Sequence, residues 1–182
     1  LVRGKTLLVL CSVIFCACVH TYTYKAPNIP LDSFVRIEAK RHKANCFTCL
    51  LETGTGSGAV VTSSKVLTAG HICTGIREMI DNAAQSNVLD KVLVTVHDDK
   101  GNMYGVTGLD IHSSGDICIM ETDRSLLVDA IDIASSNPSR GKMVWSMMAP
   151  DGVAGVGLVP VVSGHYAGGD RETSVFTIPA YP

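Results

Sequence analysis

Aromatic residues are scarce in this chain, with one Trp, five Tyr and four Phe in 182 residues, too few to build a base-stacking surface. Charge of one sign is also lacking. The formal net charge is only -2, which offers nucleic acid or an anionic membrane no electrostatic attraction. No apolar run is long enough to span a bilayer. The longest, Leu7 to Val19, is broken by Ser12 and falls short of the ~20 residues a spanning helix needs. No internal repeat or low-complexity tract stands out. There is one Cys-x-x-Cys, Cys46 to Cys49, with no second copy and no His-x₃₋₅-His to complete a zinc site.

What is present is glycine and short apolar runs rich in Val and Ile. Such runs between turn signals favour an all-β domain of many short strands. Arg3 and Lys5 ahead of the Leu7–Val19 run make 1–19 an expected secretory signal peptide. Cys18, after Phe15-Cys-Ala, is a candidate for lipidation. Pro27 and Pro30 make 20–32 an extended linker. Ser33–Lys40 alternates apolar and polar residues as a half-buried strand does. Lys91–His97 and Met103–Ile111 read as a hairpin around the turn Asp98-Asp-Lys-Gly-Asn102. Thr74 to Ala84 carries Ile76, Met79, Ile80 and Ala83 at helical spacing. A polar connector covers 124–137. Three more strands follow, near Gly141–Met148, Gly157–Tyr166 and Ser174–Ile178, with Trp145 expected in the core and His165 at the surface.

The most specific stretch is Gly54-Thr-Gly-Ser-Gly-Ala-Val-Val-Thr-Ser-Ser-Lys-Val-Leu-Thr-Ala-Gly-His71-Ile-Cys73. It reads as a hairpin with a polar turn at Ser63–Lys65, whose second arm, Val66–Thr68, delivers an imidazole to a sheet edge. That is a good mount for a general base. Further on, Asp116-Ile-Cys-Ile-Met-Glu121 opens an apolar strand with a carboxylate, entered from the turn Ser113-Ser-Gly115. Asp110, inside the preceding strand, is the competing acid.

The Gly-Ser-Gly, apolar, Thr-Ala-Gly-His order resembles the trypsin-like serine proteases (chymotrypsin fold, PA clan), in a style closer to bacterial, phage or HtrA-type members than to digestive ones. The resemblance implies two antiparallel β-barrels, the first over 33–123 and the second, incomplete, over 138–182. It implies His71 as general base and Asp116 as the residue that orients its ring. It also implies a polypeptide substrate, no cofactor, and an exported, extracytoplasmic enzyme. The resemblance further implies a bridge near the catalytic histidine, for which Cys49 with Cys73 is the expected pair. Cys46–Cys49 and Cys46–Cys73 are the competing pairings, and Cys118 is expected to be buried and free. A zinc site at Cys46, Cys49 and His42 or Cys73 is a third alternative for these cysteines.

The family's nucleophile sits in a Gly-x-Ser-Gly turn. The sequence reaches Thr177-Ile-Pro-Ala-Tyr-Pro182 before such a turn, so the nucleophile is expected just after Pro182. Ser57, in the strand before the histidine hairpin, and Ser163, mid-strand, lack that context. As given, the chain is expected to be inactive. Serine is the expected nucleophile, with cysteine, as in viral relatives of the fold, the alternative. The other class of function is a protease-like binding module without catalysis.

Overall fold

The computed structural model describes residues 29–46, 48–86, 90–147, 159–169 and 174–177. The leader expected at 1–19, with Cys18, lies outside these. The chain is mostly β. Its first six strands are β1 (Phe34–His42), β2 (Leu50–Thr62), β3 (Lys65–Thr68), β4 (Lys91–His97), β5 (Met103–Ile111) and β6 (Cys118–Thr122). They close into an antiparallel barrel in the order β1-β2-β3-β6-β5-β4, with β4 returning to β1. The helix α1 (Gly70–Ala84) interrupts them between β3 and β4. A separate three-stranded sheet, not closed among the described residues, has the order β7 (Met143–Met147), β8 (Val161–Gly169), β9 (Ser174–Thr177).

The period-2 pattern of β1 explains its place in the barrel. Val35, Ile37 and Ala39 point inward and are at most 1% exposed, while Arg36, Glu38 and Lys40 face out. They meet Val60, Val66, Val96, Tyr104 and Met120 from the other strands in one core. Tyr104 is fully buried, and its hydroxyl is satisfied twice. It donates to Asp98 at 3.2 Å and accepts from the Leu127 amide at 3.1 Å.

The alternating glycines before the histidine belong to the long strand β2. Gly58 shows why one is needed there. A Cβ on it would lie 2.5 Å from Val66 Cγ1 and 2.9 Å from the Leu67 carbonyl oxygen. Only a residue without a side chain lets β2 lie this close over β3.

The helix is longer than the sequence suggests. It starts at Gly70 rather than near Thr74, so His71 lies in its first turn and not at a strand end. Cys73, Ile76, Met79 and Ala83 form its buried stripe, and the first three join the barrel core. The connector after β6 stays bound to the barrel, with the Leu126 amide donating to Ser63 O and the Ile131 amide to Val60 O.

Candidate active site

β3 ends at Thr68, whose hydroxyl donates to the Ser57 carbonyl at 2.7 Å and pins the strand end to β2. Ala69 stays extended, and the chain then turns straight into α1 with no side-chain cap. The first turn of a helix leaves amide N–H groups without internal partners. Here one of them is taken by a carboxylate 45 residues away. The His71 amide donates to Asp116 Oδ1 at 2.7 Å, and His71 Nδ1 lies 2.8 Å from Asp116 Oδ2.

An ionised carboxylate only accepts hydrogen bonds. In the neutral ring Nδ1 therefore carries the proton and donates, which leaves Nε2 as an acceptor aimed away from Asp116. The His71 ring holds the Asp116 carboxyl below the usual aspartate range, helped by the amides of His71 and Gly70. The carboxylate is thus ionised wherever a neutral imidazole exists to be oriented. Both side chains are open to solvent.

Gly70 is part of the site by virtue of what it lacks. A Cβ there would lie 3.0 Å from the Ile117 amide nitrogen, 3.1 Å from Asp116 Oδ1 and 3.2 Å from the Asp116 carbonyl carbon. The helix start and the 112–117 turn therefore touch backbone to backbone.

Two cavities flank the ring. One, of about 430 Å³ and wide open, has Thr74 and Glu78 of α1 on one side, and Ile111, His112 and Gly115 on the other. The second, of about 160 Å³, is more apolar and is lined by Ile37, Ala39, Ile72, Ile76 and Met79. Among the described residues, no serine and no cysteine thiol lines either cavity. Ser57 sits opposite Arg36 in the β1–β2 ladder. Ser163 sits opposite Trp145 in the second sheet, at a cavity of its own with Phe176. Asp110 is exposed and paired opposite Ile119 in β5. It takes no part in the pair, and both donors of His71 go to Asp116. Trp145 is half-buried and His165 exposed.

The cysteines differ from expectation. The bridges are Cys46–Cys49 and Cys73–Cys118, with Cα separations of 5.3 and 6.4 Å, so Cys49–Cys73 is not formed and Cys118 is not free. Cys73 lies on the buried stripe of α1 facing the first residue of β6, while Cys49 closes the short turn between β1 and β2. With Cys46, Cys49 and Cys73 all oxidised, none offers a thiolate to zinc. Among the described residues no group of three His, Cys, Asp or Glu could hold a metal. Sequence reasoning also passed over Glu78 and His112, which line the wider cavity. One signal for the second bridge was in plain view: His71-x-Cys73 and Asp116-x-Cys118 place a cysteine at the same offset from each member of the pair.

No protein-family model matches the sequence, and no curated protein matches it. The two disulfides fit an oxidising environment. Among the described residues no helix is long and apolar enough to cross a membrane.

Proposed function

We propose that this chain carries the histidine–aspartate part of a trypsin-like serine endopeptidase, acting on polypeptides outside the cytoplasm. The observation that supports the reading best is the two-point grip of Asp116 on His71, on ring and amide together. That grip selects the tautomer whose Nε2 is free to take a proton. In such an enzyme His71 Nε2 removes the proton of an attacking hydroxyl. The imidazolium that forms is stabilised by Asp116, and the proton is then passed to the leaving amine. Backbone N–H donors stabilise the oxyanion. His71 and Asp116 do this work without a metal or cofactor.

The closed barrel with an unclosed second sheet supports the two-barrel architecture in this reading. In this reading the nucleophile sits in a Gly-x-Ser-Gly turn, a pattern that residues 1–182 do not contain. The test is to treat the full-length protein with a fluorophosphonate probe and a set of fluorogenic peptides. Label on a serine outside 1–182, and hydrolysis lost in His71→Ala, is the expected result. A folded full-length protein that neither takes the label nor an equivalent thiol-directed probe, and cleaves nothing, would make it a binding module of the same fold instead.

A further inference from the structure

We propose that the Cys73–Cys118 disulfide is the positioning device of the site, tethering the start of the helix to the start of β6 so that His71 and Asp116 stay in register. This rests on the reading that the His71–Asp116 pair is the working dyad. The two members come from elements 45 residues apart, and their side chains are 70% and 61% exposed. Water competes for their hydrogen bonds, so the pair adds little to the hold of the β3–β6 ladder, which ends where Thr68 faces Cys118. The disulfide lies two residues beyond each member and spans the same gap one layer deeper. Cys73 and Cys118 are both fully buried.

The tether has a role distinct from holding the helix on the barrel. Ile76 and Met79 already seat the body of α1 in the core. In the first turn, apart from Cys73 itself, only Ile72 packs against the core, and it is partly exposed. Ala69 provides no side-chain cap, and Gly70 meets the Asp116–Ile117 backbone at a contact that has no side chain to fill a gap if the turn drifts. The bond fixes this end of the helix.

The test is an NMR comparison of the full chain with Cys73→Ala/Cys118→Ala, using Cys46→Ala/Cys49→Ala as the control for loss of a disulfide elsewhere. Two readouts report register. One is exchange protection of the His71 amide, which donates to Asp116. The other is the titration of the Asp116 carboxyl carbon, which the same contacts hold low. Removing Cys73–Cys118 is expected to abolish the protection and move the Asp116 titration up toward the ordinary range, with core-strand amides still protected. The control should leave both readouts in place. Unchanged readouts in the folded Cys73/Cys118 variant overturn the proposal. Should the alanine pair not fold, Cys73→Val/Cys118→Ala and the reduced wild-type chain, which keep more of the packing volume, give the same readouts. If core protection is lost in all three forms, the bond is a staple of the barrel and the positioning role is refuted. Neither readout needs a nucleophile, so shifted readouts in a protein without hydrolytic activity would sink the protease reading alone.

Discussion

At the scale of single residues, the site depends on one position being empty. Gly70 has an ordinary backbone conformation, so its glycine is not there for a left-handed φ. It is there because a Cβ would press on the Ile117 amide and on Asp116 itself. These are backbone atoms and a carboxylate already committed to two bonds, and they have no soft direction in which to yield. Gly70→Ala should therefore push the first turn of α1 off the Asp116 turn. We expect a loss of stability of about 1–3 kcal/mol, typical of overpacking a close contact, read from urea unfolding. Exchange protection of the His71 amide should fall at the same time. Asp116 also sets a pH limit for the grip. Its folded-state pKa is lowered, first by the His71 ring. The contribution of the pair is therefore fully present above the ordinary aspartate pKa, and is lost only as pH falls through the lower folded value.

At the scale of elements, the two disulfides should differ in worth. In the chain-entropy view a bridge stabilises by restricting the unfolded chain, more so for a longer loop. Cys73–Cys118 spans 45 residues, for which that view gives about 4 kcal/mol. Cys46–Cys49 spans 3, for which it gives about 2 kcal/mol. Urea unfolding of the two double-alanine variants checks the order, and equal losses would refute it. The elements themselves were unequally legible. Strands β4 and β5 fall where alternation and the Asp98–Asn102 turn place them, because local turn chemistry and period agree there. The start of α1 did not show. Ala69-Gly70 carries no capping signal, and what begins the helix is a carboxylate far along the chain. The hairpin with its Ser63–Lys65 turn was legible, but the length of β2 back to Leu50 was not. What glycine permits at Gly56 and Gly58 is close packing on Ile72 and Val66, far from any local pattern. His71 and Asp116 were legible as separate residues from their settings. Their two-point contact, and the pairing of Cys73 with Cys118, depend on how α1 docks on β6, which no local pattern encodes.

At the scale of the whole molecule, stability and activity should respond to different groups. On the outer side of β1 and β4, His97 is largely buried beside Thr95, at 2.9 Å, and Glu38, at 3.5 Å. Burial, then the charge of Arg36, lowers its pKa, with Lys40 acting in the same sense and Glu38 and Asp98 opposing. A depressed histidine costs nothing while it is neutral in both states. As pH falls below about 6.5 the unfolded chain takes the proton first, so stability drops until the folded value is passed. His97→Gln should flatten that limb, seen as a smaller fall in urea midpoint between pH 7 and pH 5, roughly the window histidine titrates in. On the proposed protease reading, hydrolysis should follow the dyad instead. No serine or thiol among the described residues lines the cavities at His71, and loss of the nucleophile alone costs such enzymes on the order of 10⁶ in kcat. The chain 1–182 should therefore show no His71-dependent cleavage of fluorogenic peptides. A longer form that supplies a Gly-x-Ser-Gly turn should show it, and Asp116→Asn in that form should lower kcat by about 10⁴, because the ring then loses its tautomer. His71-dependent cleavage by 1–182 itself would place a nucleophile inside the chain, and Ser57 and Ser163 would be the first to replace by alanine.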